Sequence, residues 1–232
     1  MIPLRDNAPR YSAPFVTLGL IAVNVIIFLY ELSLDPYSLE HFVGLHGVVP
    51  LRFANFVAGR AAAGAVLPPL VEHMFLHGGW LHLLGNMWFL WIFGDNLEDQ
   101  LGHFRFLVFY LTCGVVAALC QTSLTLSSRV PSVGASGAIA GVMGGYLLFF
   151  PGARVLTLVP FFFLFTVEIP AYVMLFYWIA VQVISGLTSV GNASLQAQGG
   201  VAWWAHVGGF VCGLVLVKMM GRRPRLRRYY EW

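Results

Sequence analysis

The sequence has very few charged residues, and this scarcity indicates the solvent in which most of the chain lies. Only 10% of the 232 residues are Asp, Glu, Lys or Arg, whereas 59% are hydrophobic. A soluble globular domain carries about 25% charged residues. Because so few charges cannot cover a water-exposed surface, we predict that much of the chain faces lipid.

Several patterns that mark common functional sites are also absent. The cysteines Cys113, Cys120 and Cys212 lie in apolar runs without a Cys-x-x-Cys pair, which favours buried thiols over a redox site. The zinc pattern His-Glu-x-x-His is missing, and nothing in the sequence implies a metal or a cofactor. Lys and Arg are missing from the centre of every apolar run, which argues against a voltage sensor or an anion pathway.

Six apolar runs have lengths that suit helices crossing a bilayer. A hydrocarbon core of about 30 Å needs roughly 20 helical residues, and backbone amides in lipid must bond within their own segment. We therefore predict an all-α polytopic membrane protein in which residues 1–232 form one domain. The predicted spans are 13–30, 80–94, 104–126, 136–150, 170–188 and 203–220. The stretch 155–165 could be an extra or re-entrant piece.

The basic residues are distributed unevenly between the two ends of the spans. With six spans, the termini and the second and fourth loops share one side, and the opposite side holds only Arg52, Arg60 and Arg129 of the 13 basic residues. This bias predicts cytoplasmic termini in an inner or plasma membrane. The basic tail, 221–232, is interpreted as a topological anchor on the lipid bilayer, with no nucleic-acid partner.

Ser136 lies where the fourth span begins, between two glycines. Free backbone amides at a helix start favour developing negative charge, and Gly134 and Gly137 allow a substrate backbone to approach closely. Taken alone, a helix-capping serine is the simpler interpretation. The Gly-x-Ser-x-Gly pattern of soluble hydrolases is interrupted by Ala138.

Glycine recurs at every fourth residue on the two spans that carry Ser136 and His206. Such spacing lets transmembrane helices pack with their backbones close together. Close packing would bring the imidazole to the hydroxyl, and serine needs such a base to act as a nucleophile. Alternatively, His206 bonds a neighbouring carbonyl group. The repeats are Gly137, Gly141 and Gly145 on the fourth span, and Gly209 and Gly213 on the sixth.

Further polar side chains mark the second span. His82 and Asn86 are four residues apart on one helix face, so both can donate hydrogen bonds towards one oxyanion, as acyl transfer requires. Helix packing is the alternative use for them. His73 and His77 precede the helix and are expected to line a wet vestibule near the surface; a zinc site there is the disfavoured alternative.

Three sequence blocks together resemble the rhomboid family of intramembrane serine proteases. They are residues 77–86 (HGGWLHLLGN), 134–137 (GASG) and 205–209 (AHVGG), the last followed by Gly213. The resemblance covers roughly residues 13–220 and implies a six-helix bundle with a water-filled cavity that opens to the extracytoplasmic side. It also implies a catalytic dyad without an acid, in which Ser136 is the nucleophile and His206 is the general base and later the acid.

The resemblance assigns further roles. His82, Asn86 and the Ser136 backbone amide would form the oxyanion hole, with His77 in support, and Glu98 would brace the first loop. The partners would be single-span or polytopic membrane proteins, cut in or beside a transmembrane segment. Two departures stand out: Ala140 replaces an aromatic residue expected to stack on the histidine, and the Trp-Arg pair of the first loop is missing.

Two other functional classes remain open on sequence alone. A rhomboid-like pseudoprotease would bind membrane proteins without cutting them, but such proteins usually lack the serine or the histidine, and both are present here. A transporter could use the histidines as a proton path. Transporters often contain internal repeats with broken helices, and the sequence shows no such repeat.

Overall fold

A computed structural model describes residues 1–160, 164–189 and 201–221 of the chain. This part is mostly helical, as predicted. The basic tail beyond residue 221 and the last loop, 191–200, lie outside it. The described helices are α1 (Phe15–Ser33), α2 (Pro36–His46), α3 (Pro50–Val57), α4 (Pro69–Glu72), α5 (Trp80–Leu101), α6 (His103–Leu124), α7 (Ser136–Phe149), α8 (Ala171–Ser189) and α9 (Trp203–Met220). The described strands are β1 (Ile2–Asp6), β2 (Arg154–Pro160) and β3 (Leu164–Pro170).

Six of these helices, α1 and α5 to α9, each lie over one of the predicted spans. Within the described residues, α1, α6, α8 and α9 are long and apolar enough to cross a membrane. Helix α7 is apolar but has only 14 residues, and α5 ends in a polar segment, 95–100. These two helices pack inside the bundle, where α7 is buried along almost its whole length because α5, α6 and α9 surround it.

A small antiparallel sheet is the exception to the all-α prediction. Within the stretch 155–165, interpreted above as an extra or re-entrant piece, residues 155–160 belong to β2 and residues 164 and 165 to β3. These two strands pair with each other, while β1 pairs with the other edge of β2. Buried Val155 and Thr157 alternate with more exposed neighbours, as in a half-buried strand. The run is too short to span a bilayer as a helix, and its pairing with β1 depends on residues about 150 positions away.

Helices α7 and α9 are in direct backbone contact, and glycine makes this contact possible. A Cβ atom at position 209 would overlap the carbonyl oxygen of Gly137, and one at position 213 would overlap that of Gly141. The predicted glycine pairing between the fourth and sixth spans is therefore present. It brings the backbones of the two helices closer than side chains would allow.

The third glycine of this face differs from the expected one. Gly144, and not Gly145, meets α9, where an added Cβ atom would overlap the Phe210 carbonyl oxygen. Gly145 instead points at Leu97 of α5. At 3.6 residues per turn, seven residues return to within about 20° of the starting direction, whereas eight residues overshoot it by about 80°. Position 144 therefore lies on the face of Gly137.

The resemblance implied that Glu98 braces the first loop, but in the structure Glu98 binds the start of α1 instead. Its fully buried carboxylate accepts hydrogen bonds from the backbone amides of Val16 (2.9 Å) and Thr17 (2.8 Å) and from the Thr17 hydroxyl (2.7 Å). These amides belong to the first turn of α1, whose N-cap residue, Pro14, provides no side-chain cap. A carboxylate is favoured at such a helix start, so Glu98 attaches α1 to the end of α5.

Candidate active site

A cavity of about 1010 Å³ opens between α5, α6, α7, α8 and α9. Its wall includes Ser136, His206, His82 and Asn86, so the structure brings the four main predicted site residues to one space. Aromatic rings of Trp178 and other apolar side chains form much of the remaining lining. Polar groups that converge in a largely apolar cavity are typical of a binding or catalytic site.

Ser136 is the first residue of α7, and a tight turn presents it to the cavity. The N-cap position is occupied by Ala135, which gives no side-chain cap, so the helix-capping interpretation of Ser136 is wrong. Gly134 has a φ of +120°, a conformation that favours glycine, and its amide donates to the carbonyl oxygen of His73 at 2.8 Å. The turn therefore leaves the hydroxyl of Ser136 free to face α9.

The Ser136 hydroxyl and the His206 imidazole are in hydrogen-bond contact. His206 Nε2 lies 2.8 Å from Ser136 Oγ, and the imidazole is buried in the first turns of α9. The nearby contact of Gly209 with the Gly137 backbone sets this distance, because it holds the starts of α7 and α9 together. The alternative in which His206 only bonds a backbone carbonyl therefore does not describe this site.

His82 and Asn86 lie against the turn that precedes Ser136. A Cβ atom on Gly134 would lie 2.6 Å from His82 Nε2 and 3.7 Å from Asn86 Nδ2. The Gly78 amide donates to His82 Nδ1 at 3.4 Å, so in the neutral ring Nε2 carries the proton and can donate. Asn86 Nδ2 is buried without a hydrogen-bond partner among the described residues. Both side chains thus offer donors beside the serine.

His73 and His77 are not vestibule residues, contrary to the expectation from sequence. Both are buried and lie outside the cavity wall. The chain before α5 turns inward, so His73 Nδ1 lies 3.0 Å from the Pro69 carbonyl oxygen, and the His77 amide donates to Glu31. The His77 ring packs edge-on against the His82 ring, with 5.1 Å between centroids. Its contact with the site is therefore a packing contact.

A family model described as the Rhomboid domain matches residues 66–223. This chain belongs to the rhomboid family. Rhomboid-like protein 11, chloroplastic, of Arabidopsis thaliana is 30% identical over 207 residues, which cover 87% of this chain and 67% of that protein. Rhomboid protein 1, mitochondrial, of Saccharomyces cerevisiae is 29% identical over 150 residues, or 63% of this chain and 40% of that protein.

The presenilin-associated rhomboid-like protein, mitochondrial, of Bos taurus is 27% identical over 140 residues, which cover 59% of this chain and 33% of that protein. The chain thus spans about two thirds of the plant relative and less than half of the yeast and bovine ones. Family membership and the long apolar helices make it a multi-pass membrane protein. They also confirm the resemblance that the three sequence blocks indicated.

In this rhomboid-family chain, α8 provides residues at the site that sequence reasoning missed. Trp178 packs on the ring of His206, with centroids 5.6 Å apart and planes inclined by 38°. It therefore makes the ring contact that was expected of an aromatic residue at position 140. Gln182 Oε1 lies 2.7 Å from His206 Nδ1. An amide side chain within a predicted transmembrane span was the signal that could have identified Gln182.

Proposed function

We propose that this protein is an intramembrane serine endopeptidase that hydrolyses peptide bonds in or beside the transmembrane segments of membrane-protein substrates. The observation that carries the proposal is the 2.8 Å contact between His206 Nε2 and Ser136 Oγ inside the cavity of a rhomboid-family chain. A serine hydroxyl is a weak nucleophile until a neighbouring base takes its proton. Few other uses exist for such a pair in a protein otherwise poor in polar groups.

The proposed reaction passes through an acyl-enzyme. Ser136 Oγ attacks the scissile carbonyl carbon while its proton passes to His206 Nε2, and the carbonyl oxygen becomes an oxyanion. The C–N bond then breaks as His206 returns the proton to the departing amine. Water next gives a proton to His206 and attacks the ester, and the proton finally returns to Ser136 Oγ. No metal or cofactor takes part in these steps.

The oxyanion would be bound by three donors. The Ser136 backbone amide is one of the free amides at the start of α7, and the dipole of that helix favours negative charge there. His82 Nε2 and the unpartnered Asn86 Nδ2 lie beside the same turn. Donors that are fixed before the reaction stabilise the transition state at little reorganisation cost.

Asn86→Ala is expected to reduce cleavage only in part. One of three proposed oxyanion donors is removed, and loss of one such donor typically costs about 10²- to 10³-fold in rate. The two remaining donors should keep the activity measurable. The check is kcat for a single-span reporter in proteoliposomes, where KM should change little because the donor acts on the oxyanion. If Asn86→Ala kept the wild-type kcat, Asn86 would not be a donor of the proposed oxyanion hole.

The proposed substrates are single-span and polytopic membrane proteins within the lipid bilayer. A helical substrate keeps its carbonyl groups bonded within the helix, so it must unwind locally before Ser136 can attack. Small or helix-breaking residues near the cleaved bond should therefore be favoured. We place both termini in the cytoplasm, with the cavity opening to the extracytoplasmic side of an inner or plasma membrane, because of the charge bias of the loops.

Substrate entry between α5 and α8 is the gating arrangement we propose. Leu81 of α5 and Ser185 of α8 both line the cavity. In a variant that lacks the native cysteines, cysteines introduced at these two positions are treated with bifunctional maleimides of increasing length until they are joined. The cross-linked protein should lose at least about tenfold in cleavage of a transmembrane reporter, because the helices can no longer separate. Fluorophosphonate labelling of Ser136 should persist, and unchanged cleavage would refute the gate.

The test of the proposed function uses the full chain in proteoliposomes with a single-span reporter. Wild type should cleave the reporter and should be labelled covalently by a fluorophosphonate at Ser136, as located by peptide mass spectrometry. Ser136→Ala should lose both properties while keeping its unfolding midpoint in detergent. A wild-type protein that binds the reporter but neither cleaves it nor accepts the label would be a pseudoprotease, and the proposal would be wrong.

A further inference from the structure

The imidazole of His206 has contacts on both of its nitrogens. Nε2 faces Ser136 Oγ, and Nδ1 lies 2.7 Å from Oε1 of Gln182, a buried residue of α8. A neutral imidazole has one nitrogen that donates and one that accepts. The group opposite Nδ1 therefore determines which nitrogen carries the proton, and so whether Nε2 can accept the proton of the serine.

The orientation of the Gln182 amide is fixed by its own helix. Its Nε2 donates to the carbonyl oxygen of Trp178, one turn earlier in α8, at 3.3 Å. Reversing the amide would place Oε1 against that carbonyl oxygen, with two acceptors facing each other, and would leave Nε2 opposite His206. The observed orientation satisfies both ends of the amide, so Oε1 accepts from the proton-bearing Nδ1 of His206.

We propose that Gln182 is the positioning residue of the dyad: its amide oxygen holds His206 in the tautomer and ring orientation that direct the Nε2 lone pair at Ser136. This inference rests on the proposed protease function. A buried histidine that takes up a proton during catalysis needs an acceptor on its far side. A neutral amide provides that acceptor without placing another charge in a low-dielectric interior, where an unpaired carboxylate would be costly.

The same helix provides the contact on the ring face. Trp178 packs on the His206 ring, and it is also the residue whose carbonyl oxygen anchors the Gln182 amide. Further along α8, Gly186 lies against the Trp204 side chain of α9, where an added Cβ atom would approach to 3.1 Å. The base is therefore correctly oriented only while α8 is docked on α9. Separation of the two helices would remove the edge contact and the face contact together.

Two substitutions at position 182 separate positioning from packing. Gln182→Met keeps the length of the side chain but removes the acceptor, whereas Gln182→Glu keeps an acceptor of the same shape. Tyr177→Phe is the matched control, because it also removes one polar group from α8, whereas Tyr177 is exposed and lies outside the cavity wall. Each protein is compared with wild type for kcat and KM on the reporter, for the rate of fluorophosphonate labelling, and for the unfolding midpoint.

We expect kcat of Gln182→Met to fall about 10- to 100-fold, as for other losses of catalytic alignment. KM should stay within about threefold, and the labelling rate should fall by the same factor as kcat. Gln182→Glu should be at least about tenfold more active than Gln182→Met, with the acid side of its pH–rate profile moved to higher pH, because a carboxylate stabilises the imidazolium that must lose its proton. His82, the other titratable ring of the cavity, is unchanged in all four proteins.

The outcomes distinguish the two proposals. If wild type is active and Gln182→Met has the same kcat and labelling rate, the positioning role is overturned and the protease function stands. Gln182 would be a packing residue only if Gln182→Met and Gln182→Glu were equally inactive and both had a lower unfolding midpoint. In that case the pH–rate profile of Gln182→Glu would also be unshifted. Failure of wild type to cleave the reporter and to be labelled would instead reject the protease function on which the inference rests.

Discussion

His206→Ala is expected to reduce reporter cleavage by about 10⁴- to 10⁶-fold, the largest effect of any substitution outside Ser136 itself. Without the imidazole, Ser136 has no acceptor for its proton during attack, and the departing amine has no donor. Loss of one member of a catalytic group in serine proteases has effects of this size. The measurement is the initial rate in proteoliposomes, together with fluorophosphonate labelling, which should disappear as well.

The serine and the histidine should behave as one unit. The double variant Ser136→Ala/His206→Ala is expected to be no slower than either single variant, because each removes the same step. His46→Ala is the matched control, since His46 pairs with Glu72 on the first loop, at a Nδ1 to carboxylate distance of 2.9 Å, and lies outside the cavity wall. More than about a tenth of wild-type activity in His206→Ala would contradict its proposed role.

Gly209→Ala is expected to reduce activity by at least about 10²-fold with the addition of a single methyl group. The new Cβ atom would overlap the carbonyl oxygen of Gly137, and a backbone atom cannot rotate away as the end of a side chain can. Helices α7 and α9 must therefore separate, which moves His206 away from Ser136. A misplacement of about 1 Å can cost this much in rate, and overpacking typically costs about 1–3 kcal/mol of stability.

The same substitution at an open position is the control. Gly19 lies on α1 with no atom within 4 Å of a Cβ atom built there, so Gly19→Ala should keep the activity and the unfolding midpoint of wild type. We compare cleavage rates and unfolding midpoints for the two alanine variants. The difference between them gives the effect of disturbing the contact between α7 and α9, apart from the effect of replacing a glycine. Wild-type rates in Gly209→Ala would show that the two helices can part without disturbing the dyad.

The parts of the fold that could be predicted from sequence are those that depend on local sequence patterns. Apolar runs of nearly bilayer length predicted the long helices, because lipid leaves few other structures open to the backbone. Glycines at four-residue spacing predicted the close approach of α7 and α9, since the helical repeat places them on one face. The nearness of Ser136 and His206 followed from that approach, while their catalytic roles stay predictions.

The features that were missed depend on contacts between distant segments. The pairing of β1 with β2 joins residues about 150 positions apart, and neither strand alone has a pattern that requires the other. Glu98 looked like a brace for the first loop, but only the fold shows that α1 begins beside it without a cap of its own. Gln182 gave no local signal beyond its polarity, because its significance comes from the position of His206 on another helix.

The burial of His73 and His77 was missed for a similar reason. From the sequence alone, two histidines just before a helix suggested a water-filled entrance to the site. In the fold, a short 3-10 turn (His73–Phe75) directs the chain inward, and the backbone of this segment bonds Gly134 and Glu31. The histidine backbones therefore support the serine turn and the end of α1, which their side-chain chemistry could not reveal.

Carboxylates hold both ends of α1. Glu98 binds the amides of its first turn, and Glu31 near its other end accepts from the His77 amide at 3.2 Å. The two attachments are about 22 Å apart along the helix axis, so α1 cannot change its tilt without breaking one of them. In a bilayer whose thickness does not match this helix, α1 therefore cannot adjust by tilting alone, so either the whole bundle tilts or the lipid deforms around it.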